Sequence, residues 1–358
     1  MPEISEIPAA TTTALEAFFA DVEPRTRTIG QPVDMAMQAL RDFTLTGGKR
    51  LRPTFAWAGY LGAHGPHRSG EDEHAVLTAL ASLELIQACA LIHDDIIDSS
   101  DTRRGKPTVH KKIEADLLAH NPQSTHATEF GTSIALLIGD LALAWAEDML
   151  TTSGLSDAAL HRTREPWQAM RTEVIGGQIL DITAEALNRT DFAAARQVNT
   201  FKTAAYTITR PLHLGAAIAN APAAVIDAYT TFGNHVGVAF QLRDDLLGVF
   251  GDPAITGKPI GDDLREGKRT ELVAAALDRL TGTPAADELT AGLGTVTAPD
   301  DIAHLSQILL DCGAVDEIEQ RITELTETGL AGLTDAPIAD DAAEMLRALA
   351  EKATKRIR

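Results

Sequence analysis

Leu83 to Gly105 reads LELIQACALIHDDIIDSSDTRRG, an apolar run that ends in Asp94, Asp95, Asp98 and Asp101 and then in Arg103 and Arg104. The surrounding segment, 72–99, is apolar almost all round, the pattern of a central helix buried by its neighbours. On that helix Asp94 and Asp98 share a face, and Asp95 and Asp98 share the adjoining stripe. The following Ser-Ser-Asp-Thr puts these carboxylates at the carboxyl end of the helix, where the helix dipole adds to their mutual repulsion. A cation must offset that charge. A hard divalent ion fits, and Mg2+ prefers one or two carboxylates together with phosphate oxygens and waters.

A second stretch repeats the theme about 150 residues later. VAFQLRDDLLGVFGDPAITGKPIGDDLREGKRT, from Val238 to Thr270, carries Asp244, Asp245 and Asp252, then Lys258, Asp262, Asp263 and Lys268. Two acidic clusters with Arg and Lys interleaved suit a diphosphate held through metal ions.

The rest of the chain reads as helix. Period-3.6 patterns run at about 11–45, 50–63, 72–99, 130–153, 157–187, 191–205, 209–219, 222–250, 269–280, 300–311, 313–333 and 339–356, and period-2 strand patterns are nearly absent. Hydrophobic residues make up 44% of the 358 and aromatics only 4%, which favours helices packed through small side chains. The expectation is one all-α domain over 11–358, after a disordered segment at 1–10. Polar, Gly/Pro-rich connections at 106–128 and 251–268 read as flaps. The net charge of −20 argues against nucleic acid, whose phosphates would be repelled. Cys89 and Cys312 lack a metal-type spacing and read as reduced thiols. The apolar runs are interrupted by Glu84, Gln87, Asp140 and Glu147, so no membrane span is expected, and the N-terminus lacks a basic-then-apolar signal. A cytoplasmic protein is expected.

The motifs together resemble the trans-isoprenyl diphosphate synthases, the polyprenyl synthetase family. Besides the two aspartate motifs, TGGKRLRP (with Gly47, Gly48, Lys49, Arg50 and Arg52), Gln87 seven residues before Asp94, GGQILD at 176–181, FKT at 201–203 and FQLRDD at 240–245 stand in family order. The resemblance covers roughly 30–350. It implies an isoprenoid synthase-type bundle of about 10–13 helices around a central cavity, with the two motifs facing each other at its mouth. It also implies Mg2+-dependent condensation of isopentenyl diphosphate with dimethylallyl, geranyl or farnesyl diphosphate, and a homodimer using helices such as 130–153.

Carried onto this chain, the resemblance gives Asp94, Asp95, Asp98, Asp244 and Asp245 as metal ligands for three ions. Arg104, Lys202, Lys258 and Lys268 pair with the leaving diphosphate, which gathers charge that metal ions and cationic donors stabilise best in a dry pocket. A second phosphate site without metals falls to Lys49, Arg52, Arg103 and Gln87; Lys49 and Arg52, three apart, are expected on one helix face. Thr203 and Gln241 match the positions that stabilise the allylic cation. His93 reads as a packing or hydrogen-bonding histidine, because imidazole suits softer ions. The chain departs from the family at Gly248, where many members carry a third Asp; Asp252, two turns on from Asp244, is expected to compensate in part.

Four and five residues before Asp94 stand Ala90 and Cys89, both small, where the family uses aromatics to stop growth at farnesyl length. One turn is about 5.4 Å, so Ile86 and Leu85 form the expected floor, and geranylgeranyl diphosphate is the expected product. Farnesyl or longer polyprenyl products are the alternatives. A class I terpene cyclase, a non-catalytic prenyl synthase-like subunit and a metal-buffering helical protein are rivals; the first two fit less well, because TGGKRLRP, DDLLG and the intact Asp and Arg set point to elongation.

Overall fold

The computed structural model describes residues 2–103, 105–253 and 259–355; Arg104 and Lys258 lie outside the described residues. Helices dominate, and the only strands among the described residues are the pair Thr102–Arg103 (β1) and Lys106–Pro107 (β2), antiparallel with Arg103 opposite Lys106. The all-α class is as expected. The chain divides into two compact units, 1–166 with 214–221, and 167–213 with 222–358.

The first unit begins earlier than the sequence suggested. A short 3-10 turn at Ile4–Glu6 leads into α1, Ile7–Ile29, whose inward stripe runs Ile7, Thr11, Ala14, Leu15, Phe19, Val22 and Thr26. Ile7 is buried, so the N-terminal segment is ordered by an apolar anchor instead of being disordered. The expected single helix over 11–45 breaks at Gly30, whose φ of 146 is open to glycine alone, and Pro32 starts α2, Gln31–Leu45. There follow α3, Leu51–Gly62; α4, Gly65–Arg68; α5, Glu73–Ala81; and α6, Leu83–Ile97.

The segment expected as one flap, 106–128, instead contains α7, Val109–His120, which packs on α8, Ala127–Thr151. Its Val109 and His110 are buried, and that anchorage overrides the polar look of the segment. The run Glu73–Ile97 is long and apolar enough to cross a membrane by length and composition, with a mean hydropathy of 2.0, but it is the buried core of this unit. Between Ala75 and Ile92 the sole charged residue is Glu84, so this stretch is more apolar than the interruptions at Glu84 and Gln87 suggested.

In the second unit, α9 (Asp157–Ala186, begun in the first unit) is followed by α10 (Phe192–Val198), a π-helix at Asn199–Thr209, and α11 (Arg210–Ile218, which belongs to the first unit from Leu214). The long α12, Ala223–Phe250, packs against the π-helix and α17 (Ala314–Ala331). The remaining helices are α13 (Asp262–Glu266), α14 (Glu271–Arg279), α15 (Pro284–Gly292), α16 (Pro299–Asp311) and α18 (Asp340–Thr354). The stretch between the helices expected at 269–280 and 300–311 thus holds a further helix, capped by Thr283 and anchored by buried Leu289. Leu242, Leu246, Leu264, Leu272 and Ile318 form the centre of this unit's core, and α13 is fixed to it through Leu264.

Candidate active site

The first unit presents the carboxylates at the carboxyl end of α6. Asp98 caps the helix, and Ser99, at φ 53, turns the chain away. The β1–β2 hairpin returns Arg103 against the cluster. Its Nε donates to Asp95 Oδ1 at 2.7 Å, and Nη2 lies 2.7 Å from the same oxygen and 3.5 Å from Asp94 Oδ2. Burial opposes the Arg103 charge, but its hydrogen bond to Asp95 and the nearby Asp94 and Asp98 carboxylates outweigh it and raise its pKa. Burial raises the Asp95 pKa, and Arg103 offsets this only in part. Asp95 is 1% exposed while Asp94 and Asp98 are half-buried. Asp95, expected among the metal ligands, anchors Arg103. Arg103, expected in a metal-free phosphate site, stands at the first aspartate motif, because the hairpin has only enough chain to double back on α6.

The basic motif before α3 also sorts differently from the expectation. Arg50, at φ 50 and buried, donates through Nη1 to Glu84 Oε2 at 2.6 Å and through Nη2 to the Leu45 carbonyl at 3.3 Å. It is a structural tie between the α3 entry and α6. The helix starts only at Leu51, so Lys49 precedes it and does not share a helical face with Arg52. Lys49 is exposed, and Arg52 and Gln87 are half-buried.

Below the aspartates, Cys89 and Ile86 are buried and Ala90 is half-buried. Cys89 Sγ lies 3.8 Å from His93 Nδ1, and burial, with Asp140 adding to it, pushes the thiol up to about 12. His93 Nε2 is 3.1 Å from the Leu136 carbonyl, its ring seated over Gly139 on α8. It is a packing histidine with a hydrogen bond, as its sequence context suggested.

The second unit carries the other cluster. Lys202 Nζ on the π-helix donates to Asp181 Oδ2 on α9 at 2.5 Å. Thr203 Oγ1 donates to Gln241 Oε1 at 2.6 Å, and Gln241 Nε2 donates to Asp245 Oδ1 at 2.6 Å. Asp245 is buried, and burial followed by the Asp263 charge raises its pKa well above the carboxylate range. Both Asp244 and Asp245 are expected metal ligands; Asp245 is the inner end of a hydrogen-bonded chain, and Asp244 is half-buried. Lys268 Nζ lies 2.9 Å from Glu266 and 3.7 Å from Asp263.

Asp252, expected to compensate for Gly248, falls beyond the end of α12 and is exposed. The carboxylate at Gly248 comes from Asp263 on α13. Sequence reading noted Asp263 without giving it a role; the signal present was the GDDL turn between Gly261 and Gly267, both at positive φ. Arg243, next to Asp244, was also missed. It is buried, holds Glu319 through Nη1 at 2.6 Å and donates through Nε to the Thr354 carbonyl at 2.8 Å, fixing α17 and α18 to α12.

Among the described residues no three His, Cys, Asp or Glu side chains already converge on one ion position. A divalent ion that brings phosphate oxygens and waters requires only one or two carboxylates, and both clusters offer hard oxygen donors. Among the described residues Asp95 Oδ2 and Asp245 Oδ2 are buried without a hydrogen-bond partner, so each cluster keeps an oxygen that no proton donor satisfies. The donor set therefore fits Mg2+.

The chain matches the polyprenyl synthetase family model over residues 33–309. It is 32% identical over 318 residues to the geranylfarnesyl diphosphate synthase of Aeropyrum pernix, covering 87% of this chain and 91% of that one. It is 34% identical over 260 residues to a geranylgeranyl diphosphate synthase of Mycobacterium tuberculosis, covering 72% and 68%. The fold superposes with a TM-score of 0.97 on geranylgeranyl pyrophosphate synthase from Corynebacterium glutamicum, complexed with isoprenyl diphosphate and magnesium; identity is 54% over 99% of this chain and all of that one. Carboxylates interleaved with guanidinium and ammonium groups, on an all-helical frame of this likeness, make the chain a member of the polyprenyl synthetase family.

Proposed function

We propose that this protein is a Mg2+-dependent prenyltransferase that condenses isopentenyl diphosphate with an allylic diphosphate to give an all-E prenyl diphosphate, chiefly geranylgeranyl diphosphate. The observation that carries the reading is the Arg103 guanidinium held between Asp95 and Asp94 at the end of α6. A cation fixed beside half-buried carboxylates is what a leaving diphosphate and its metal require. When bound, Mg2+ supplies Lewis-acid stabilisation of the departing diphosphate.

In this reading Asp94, Asp98 and Asp244 face the ions, three in number. Asp95 and Asp245 act through Arg103 and Gln241. Arg103, Lys202 and Lys268, with Arg104 and Lys258, neutralise the allylic diphosphate as its carbon–oxygen bond breaks. The Thr203 hydroxyl and Gln241 amide turn oxygen dipoles towards the allylic cation. Lys49, Arg52 and Gln87 hold the diphosphate of isopentenyl diphosphate while its double bond forms the new carbon–carbon bond and a proton is lost. The small Cys89 and Ala90 leave room for the growing tail, and Ile86 closes it at geranylgeranyl length.

We read the protein as a cytoplasmic homodimer. The apolar side chains Phe130, Leu136 and Leu137 exposed on α8 support a partner surface there, and the free thiols of Cys89 and Cys312 support a reducing compartment. The test is the chain length of radiolabelled product made from isopentenyl diphosphate with dimethylallyl, geranyl and farnesyl diphosphate in turn. Geranylgeranyl diphosphate from all three is expected, and no Mg2+-dependent elongation of any primer overturns the reading.

A further inference from the structure

Asn199–Thr209 is wound as a π-helix throughout, where π segments are usually single-turn bulges at functional sites. Its contact with α12 shows what the winding does. Thr209 lies against Gly233 and Ala204 against Gly237, so a step of five residues on the π-helix meets a step of four on α12. A Cβ on Gly233 would stand 2.5 Å from Thr209 Oγ1, and one on Gly237 would stand 2.5 Å from Ala204 Cβ and 2.6 Å from its Cα. On α9, a Cβ on Gly177 would stand 2.3 Å from the Lys202 backbone nitrogen.

An α-helix fixed at Thr209 would bring Ala205 and then Phe201 onto this row, because its same-face step is four. The five-residue step brings Ala204 to Gly237 instead. The next α12 position in the row, Gln241, then meets Thr203, and Lys202 turns to α9, where it reaches Asp181. The Thr203–Gln241 chain ends on Asp245, 3% exposed, whose Oδ2 lacks a partner among the described residues. Asn199, at the start of the same segment, donates to buried Glu271 at 3.1 Å. One helix thereby addresses three neighbouring elements with three polar side chains.

We infer that the π-helix is the device that aims Lys202 and Thr203 at the allylic substrate, and that Gly177 and Gly237 are positioning residues that admit it. The inference rests on the proposed function of Lys202 and Thr203. A methyl group at either glycine forces the π-helix to move away, and a shift of about 1 Å in groups that touch the reacting substrate can cost about a hundredfold in rate.

The test is steady-state kinetics and thermal denaturation of Gly177→Ala, Gly237→Ala, Lys202→Ala and Thr203→Val. Both glycine variants should lower kcat and raise the allylic KM, together about a hundredfold in kcat/KM, while the KM for isopentenyl diphosphate stays within about twofold. Adding Ala204→Gly to Gly237→Ala should recover part of the loss, because it removes the atom nearest the new methyl. If Lys202→Ala and Thr203→Val impair the enzyme but both glycine variants behave as wild type, the positioning inference fails and the functional reading stands. If Lys202→Ala and Thr203→Val are themselves silent, the functional reading of those residues fails. If the glycine variants weaken both substrates equally as melting temperature falls, the effect is general destabilisation and the inference is overturned. Gly177 and Gly237 sit on different helices, so either suffices should the other variant not fold.

Discussion

The Asp263 carboxylate occupies the space left by the missing side chain of Gly248: a Cβ built on Gly248 would stand 2.0 Å from Asp263 Oδ2. The acid absent from the DDLLG motif is thus replaced by one from α13, which Leu264 fixes to the core. Gly248→Asp should therefore destabilise the protein by about 1–3 kcal/mol, through overpacking next to a like charge. Combining it with Asp263→Ala should return most of the loss. Thermal denaturation of the two single variants and the double variant measures this, and an additive double variant would contradict the exchange.

The adjacent acids of the first motif should separate in their effects. Asp94→Ala should lower turnover by several orders of magnitude at saturating Mg2+, since the leaving diphosphate loses charge stabilisation, with little change in melting temperature. Asp95→Ala should destabilise the fold by about 1–3 kcal/mol, because half-buried Arg103 loses its short charged hydrogen bond. Denaturant titration beside initial rates distinguishes the two; equal stability losses would remove the assigned difference between them.

Acid should weaken the second unit through His213. Its Nε2 donates to Thr230 Oγ1 at 3.0 Å, its Nδ1 lies 3.4 Å from Arg210 Nη1, and burial with the Arg210 charge lowers its pKa to about 4. The unfolded chain, with an ordinary histidine near pH 6.5, then binds more protons than the folded one between about pH 6.5 and 4. Stability should be full above that window and fall across it by about 3 kcal/mol, levelling below. Chemical denaturation as a function of pH should show this slope, and His213→Gln should flatten it.

Product length should respond to α6. Ala90 is half-buried, whereas Cys89 packs beside His93, so Ala90→Phe is the milder obstruction and should shift product towards farnesyl diphosphate. Ile86→Ala should lengthen some product, at a cost of about 2–5 kcal/mol for truncating a buried Ile. Chromatography of radiolabelled products is the measurement; unchanged length in an active Ala90→Phe enzyme would show that the tail does not run past Ala90.

Most of the helical frame was legible because amphipathic and apolar periodicities are local. The starts of α3, α9 and α12 fall within a residue or so of their sequence expectation. What local pattern missed has physical causes. α7 and α15 look polar because each is held by few buried side chains, and the split at Gly30 depends on a backbone angle that composition does not display. The π-helix has no signature in the alternation of FKTAAYTIT, since the same residues suit an α-helix; glycines on α9 and α12 allow the wider winding.

By itself the sequence determined the chemistry available to this protein: the helix period, the grouped aspartates, the interleaved Arg and Lys, and the small residues before Asp94. Each follows from spacing along one chain segment. Tertiary structure alone decided which of those groups serve the site and which serve the frame. Arg50 went to Glu84 and Asp95 to Arg103, Asp245 closed a hydrogen-bonded chain, and Asp263 filled the place at Gly248. The reason is burial: a charge that leaves water must find its partner wherever packing supplies one, and partners brought together by packing can be distant in sequence.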